Sequence, residues 1–217
     1  MAGSGRREGT EARSLLIGVS QYAGDRPLEV AEGLGDIAAV ERNLTELRDA
    51  LRAGGVFAED RIESLPSPGV EQFEQFEQRL GHVRDATDGL FLVYFAGHGI
   101  VDTRAGGHGR LLLGLRDAEV EHGPSFPGWI RWDDTLHRLC PGASARRHTV
   151  VVLDSCYAGN AAGAWEELDE RDQARISLLL AVQKNQRIDA GDAATPTPYT
   201  AELVRHLAHP AGEPAGP

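Results

Sequence analysis

The chain has 217 residues, with 22 basic against 33 acidic side chains and a net charge of −11. That balance excludes a surface built to follow nucleic-acid phosphates, which is basic overall, and leaves room for a cationic peptide partner. A hydrophobic share of 41% excludes a disordered chain, and the length allows one large domain or two small ones.

Residues 1–12 lack an apolar signal core and read as a flexible polar leader. Leu15–Val19 is a short continuous apolar run, the pattern of a strand covered on both faces. Asp36 then stands as an N-cap before a helical stripe of Ile37, Val40, Leu44, Leu47 and Leu51, which Gly54-Gly55 stops. Arg61–Leu65 reads as a further strand. Ser67-Pro68 fits the N-cap and first position of a helix with Val70, Phe73, Phe76, Leu80 and Val83 on one face.

Gly89–Ala96 is the clearest strand and ends in Gly97-His98-Gly99. A glycine-rich turn over Arg104–Gly109 leads to a strand at Leu111–Leu115, and Asp133 caps a helix running to Cys140. Thr149–Leu153 is a second buried strand, ending in Asp154-Ser155-Cys156-Tyr157-Ala158-Gly159. The polar, acid-rich segment 161–175 reads as a mobile linker or an exposed helix. Ile176–Val182 is the last strand and Thr200–Leu207 the last helix, and the Pro/Gly-rich residues 209–217 form a tail that packs as no regular element. Strand–helix alternation of this kind predicts one α/β domain over residues 13–208, with a mainly parallel sheet between two layers of helices.

The longest apolar runs, such as Leu90–Ala96, fall far short of the roughly 20 residues that span a bilayer, so no membrane role is expected. Two cysteines outside any C-x-x-C pair predict free thiols in a reducing, cytoplasmic compartment. No P-loop signature occurs. Gly33-Leu34-Gly35-Asp36-Ile37-Ala38 matches a dinucleotide fingerprint, but Pro27 and a polar stretch separate it from the strand it would have to follow. The eight histidines include no short-spaced ligand pair, so no metal site is expected. Trp129, Trp132 and Cys140 read as packing residues.

Sites in open parallel sheets form beyond the carboxyl ends of the strands. Two strands end there in useful chemistry, His98 after one and Cys156 after the other. A thiol with a pKa near 8.5 needs a neighbouring imidazole to take its proton and return it to a leaving amine. Gly97 and Gly99 let the main chain approach a substrate. The N–H groups of Gly99 and Cys156 are then candidates for an oxyanion hole.

The segments YFAGHG at 94–99 and LDSCYAG at 153–159 resemble the active-site segments of caspase-like cysteine peptidases, especially the bacterial caspase-family and metacaspase branch. RSLLIGVSQY at 13–22 is similar to the first strand of that family, and His98 precedes Cys156 by 58 positions, close to the roughly 50 recorded for caspases. The resemblance implies a three-layer α/β/α fold with large-subunit-like residues 13–160, a linker at 161–175 and small-subunit-like residues 176–208. It implies an endopeptidase with a His98/Cys156 dyad and a peptide or protein substrate, and processing near Arg171 or Arg175. A regulatory domain or partner protein would control it in bacterial signalling or defence.

In metacaspases the acid two residues before the cysteine lines a pocket for Arg or Lys, and Asp154 matches it. Their second pocket acid lies in a C-Q-D segment, where this chain has Val182-Gln183-Lys184. Asp189 or Asp192 are the substitutes within reach. Metacaspases often require calcium. The acidic stretch Glu166–Asp172 reads first as a solvated face, with calcium as the alternative, and no other cofactor is implied. The alternative to an enzyme is an inactive scaffold of the same fold.

Overall fold

Apolar runs too continuous to alternate between core and solvent become strands buried on both faces. The computed structural model describes residues 12–22, 34–85, 87–104, 109–119, 128–140, 147–184, 186–187 and 192–208. In chain order the elements are β1 (Arg13–Gly18), α1 (Ala39–Ala53), β2 (Ile62–Pro66), α2 (Val70–Asp85), β3 (Leu90–Gly97), β4 (Gly99–Asp102), β5 (Arg110–Gly114) and β6 (Trp129–Arg131). Then come α3 (Trp132–Leu139), β7 (His148–Ser155), α4 (Ala161–Glu166), α5 (Glu170–Gln173), β8 (Ile176–Leu180) and α6 (Pro198–Ala208). The leader through residue 11, Pro27, Gly33, residues 105–108 of the glycine-rich turn, Asp189 and the tail 209–217 lie outside the described residues, as do the side chains of Phe76 and Val83.

Five strands form the central sheet in the order β2-β1-β3-β7-β8, and every neighbouring pair is parallel. Right-handed crossovers put α1 on one face and the connections through α2, α3 and α4 on the other. Consistent with this, α3 packs on α4, and α6 returns to lie against α1. The result is a three-layer α/β/α fold. Leu16, Tyr94, Phe95 and Val152 from the middle strands meet Val40 and Leu47 of α1 and Trp132 and Leu136 of α3 in one core. Each large side chain so buried contributes about 1.5–3 kcal/mol of apolar transfer.

The chain reverses its direction of travel across the sheet after β2. β1 connects outward to β2, and β2 returns past it to β3. A crevice opens at such a switch point, above the carboxyl ends of β1 and β3.

Several helix starts differ from the sequence expectation, each because a side chain has a longer-range partner. Asp36 does not cap α1; its Oδ1 accepts from the Tyr22 N–H at 2.9 Å, and α1 begins at Ala39 with no side-chain cap. Ser67 sits at φ 41° and its Oγ accepts from Ser20 and Gln21 N–H groups at 3.1 and 3.3 Å. The start of α2 is served instead by Asp117, whose Oδ2 accepts from Val70 N–H at 3.0 Å. Asp133 lies inside the first turn of α3, 3.2 Å from Arg110 Nε, rather than at its cap.

The strand expected at Leu111–Leu115 is β5, one residue earlier, and it belongs to a separate antiparallel sheet β4-β5-β6. The last strand ends at Leu180 rather than Val182. Trp129 and Trp132 are buried, with indole N–H groups donating to Glu119 and Ala161 carbonyls. Segment 161–175 forms two short hydrogen-bonded helices. Trp165 Nε1 donates to Ile176 O at 2.9 Å, and Gln173 Nε2 reaches the carbonyls of Trp165, Glu166 and Leu168. Among the described residues no helix is long and apolar enough to cross a membrane.

Candidate active site

β3 and β7 are paired residue for residue up to Gly97↔Ser155, so His98 and Cys156 are the next residues out of two adjacent strands. Neighbouring strands lie about 4.8 Å apart, which brings both residues to one stretch of the sheet rim. The loops that carry them touch. A Cβ on Gly99 would collide with the Cys156 carbonyl oxygen, so only glycine lets the two main chains come this close.

Gly114 N–H donates to the His98 carbonyl at 2.9 Å, anchoring the main chain between β3 and β4. That bond makes Gly99↔Leu113 a non-hydrogen-bonded pair of the antiparallel ladder, so the ladder does not use the Gly99 N–H.

The His98 ring is half-buried, with Nε2 2.8 Å from the Gly35 carbonyl oxygen. A carbonyl only accepts, so Nε2 carries the hydrogen and Nδ1 is the basic nitrogen. Burial pushes the imidazole below its ordinary pKa of 6.5, and the bond to Gly35 opposes it less strongly. Tyr22 lies beside the ring at a centroid distance of 4.6 Å, and its Oη accepts the His98 N–H at 2.7 Å.

Cys156 is half-buried and unpaired. Tyr157 beyond it is at φ 59°, a left-handed conformation that is strained for a side chain of this size. Its N–H donates to Gln186 O at 2.6 Å, and its Oη accepts from Arg187 Nε at 2.7 Å, so the loop after β8 clamps the turn after Cys156. Cys140 is remote in role: its Sγ donates to Leu136 O at 3.4 Å, and burial together with Asp172 pushes its thiol up to about 11.

Asp154 is buried at 2% exposure. Its Oδ2 accepts from Thr200 Oγ1 at 2.6 Å, from Asn43 Nδ2 at 3.3 Å and from Thr197 Oγ1, while Oδ1 is buried without a partner. Tyr94 Oη joins the cluster through Thr200 at 2.7 Å. Burial raises the Asp154 pKa, and the bonds from Thr197, Thr200 and Tyr94 pull against it.

Asp192 is exposed and turned on its own loop, accepting from Ala194 N–H at 2.8 Å and Thr195 N–H at 3.1 Å, which hold its carboxyl below the ordinary value. Lys184 is exposed. Arg171 is exposed in α5, and Arg175 directly precedes β8 with its carbonyl accepting from Thr149 N–H at 2.8 Å. In the Glu166–Asp172 stretch, Asp169 caps α5 through the Asp172 N–H at 2.8 Å. Among the described residues no three ligating side chains converge on a metal position.

Sequence reading missed the residues that hold these groups. Tyr22 and Gly35 lie between β1 and α1, and Asn43, Tyr94 and the pair Thr197 and Thr200 come from three distant parts of the chain. Only Asn43 left a trace, as a polar residue on the inward side of the α1 stripe.

Comparison with solved structures finds the same architecture. Caspase-1 from Spodoptera frugiperda superposes with a TM-score of 0.61 at 11% identity, over 92% of this chain and 69% of that one. Raptor from Chaetomium thermophilum gives 0.49 at 18% identity, over 88% and 17%. Pro-sf-caspase-1 gives 0.48 at 12% identity, over 87% and 56%. The superposition on caspase-1 from Spodoptera frugiperda shows a caspase-like fold. No protein-family model and no curated protein matches it in sequence.

Proposed function

We propose that this chain is a cysteine endopeptidase of the caspase-like class, with Cys156 as nucleophile and His98 as acid and base. The observation that supports the reading is the Gly97↔Ser155 register, which makes His98 and Cys156 the next residues out of two paired strands of a caspase-like sheet. Cys156 Sγ attacks the scissile carbonyl carbon and gives its proton to His98 Nδ1. The Gly99 and Cys156 N–H groups receive the oxyanion. His98 then protonates the leaving amine as the C–N bond breaks, and water, deprotonated by the same ring, hydrolyses the thioester.

Cleavage falls after Arg or Lys. Support comes from the unpartnered Asp154 Oδ1, a buried carboxylate oxygen beside the nucleophile's strand that a cationic side chain would satisfy with a charge-assisted hydrogen bond. Asp192 is turned onto its own loop, and Asp189 lies outside the described residues. Both cysteines are free thiols, which supports a reducing compartment.

Digestion of a peptide library by the wild type, Cys156→Ala and Asp154→Asn, with and without calcium, tests the reading. The expected result is cutting after Arg or Lys by the wild type alone, weakened by Asp154→Asn. Cuts after aspartate would overturn the specificity. No Cys156-dependent cutting, together with equal labelling of Cys140 and Cys156 by an electrophilic thiol probe, would make the chain an interaction scaffold.

A further inference from the structure

We propose that Tyr22 is a positioning residue for His98, locked in place by Asp36, so that the imidazole is held by both ends of the span between β1 and α1. The inference rests on the reading of His98 as the acid–base group, and gives Tyr22 and Asp36 a role that the sequence did not assign to them.

β1 lies directly beside β3, with Gly18 opposite Ala96, and Val19 N–H extends the pairing to Ala96 O at 2.8 Å. The chain leaving β1 therefore runs alongside the residue that precedes Gly97 and His98. Tyr22 is 8% exposed, and it meets His98 twice. Its ring packs against the imidazole with a 55° tilt, and its Oη takes the main-chain N–H of the same residue at 2.7 Å. Gly97 makes room for that approach, since a Cβ there would fall 2.8 Å from Tyr22 Oη.

At the other end of the span, Gly35 O takes the hydrogen on Nε2. The two ends are themselves joined, by Tyr22 N–H to Asp36 Oδ1 at 2.9 Å and by Ile37 N–H to Ser20 O at 2.8 Å. Ring edge, ring face and main chain of His98 are thus fixed by one closed clasp. A buried phenol oxygen needs a hydrogen-bond partner, and Tyr22 takes it from the main chain of the catalytic candidate itself. Here that oxygen sets where the residue sits, and the phenyl face sets which way the ring turns. Misplacement of a reacting group by about 1 Å can cost a hundredfold in rate.

The test uses Tyr22→Phe, which keeps the ring and removes the acceptor, with Asp36→Ala and Asp36→Asn, measured by peptide hydrolysis and by nitrogen NMR of the His98 ring in the intact chain. Tyr22→Phe is expected to lower kcat by about tenfold or more with KM little changed. It is also expected to weaken the Nε2–H tautomer signature of His98. Asp36→Asn, which preserves an acceptor oxygen, should lose less than Asp36→Ala. An unchanged tautomer signature with kcat within about twofold of wild type would overturn the proposal. The NMR arm needs no turnover: a tautomer shift in Tyr22→Phe supports the clasp even in a chain that cuts no peptide, and an unshifted one overturns it there too.

Discussion

A half-buried imidazole beside a carbonyl acceptor has a definite acid–base character. Removing solvent disfavours the His98 cation more than the Gly35 bond favours it, so the ring stays neutral to lower pH than a free histidine. For a general base this places the acid limb of kcat/KM below pH 6.5, and a pH–rate profile on a basic peptide should show it there. A limb centred at or above 6.5 would mean that the ring is solvated in the working enzyme. The sign carries over to stability. The native state binds fewer protons at His98 than the unfolded chain does, so this contribution is intact above pH 6.5 and declines as the pH falls through and below it. The placement of His98 and Cys156 just beyond two neighbouring strands was legible in the sequence because each follows a strong apolar run. The bonds that hold His98 and Asp154 were not, because contacts such as His98 to Gly35, 63 positions apart, and Asn43 to Thr197, 154 apart, leave no local pattern.

Elements were easier to read than their ends. Period and apolar continuity depend on neighbours within one turn or one strand, so the main strands and α1, α2 and α3 were all legible. Caps depend on what lies nearby in space, and there the local rules misled. Serine before proline looks like a helix start, yet Ser67 serves the loop after β1 while Asp117, 47 positions away, caps α2. Asp117→Ala should therefore destabilise the fold by about 1 kcal/mol, a drop of a few degrees in Tm by calorimetry, whereas the local reading assigns that loss to Ser67. An unchanged Tm in Asp117→Ala would remove the cap from this account. β4 escaped notice because Gly99–Asp102 is four residues long, and its hydrogen-bond partner, β5, was legible only as an isolated strand.

The whole molecule adds what no single element contains. A sheet whose order turns back at β1 gathers the end of β1, the end of β3 and the end of β7 into one rim, and from the sequence that gathering is a topological inference only. It also decides the fate of segment 161–175, which joins β7 to β8 on the same face of the sheet as α3. Peptidases cut extended chain, but Arg171 is wound into α5 and the Arg175 carbonyl is tied to Thr149. Self-cleavage at these two residues therefore requires the segment to unwind first, and it should be slow. Mass spectrometry of stored protein is expected to find fragments ending at Arg171 or Arg175 in the wild type and none in Cys156→Ala. Equal fragments in both would trace the cuts to a contaminating protease.

Gly97 and Gly99 together give this rim an unusual material property. Where they stand, the main chain lies against the Tyr22 phenol oxygen on one side and the Cys156 carbonyl on the other, and a Cβ at either position would collide. At Gly99 the colliding atom is main chain and cannot swing aside, so the rim tolerates no side chain at that point without a shift of the backbone that carries Cys156.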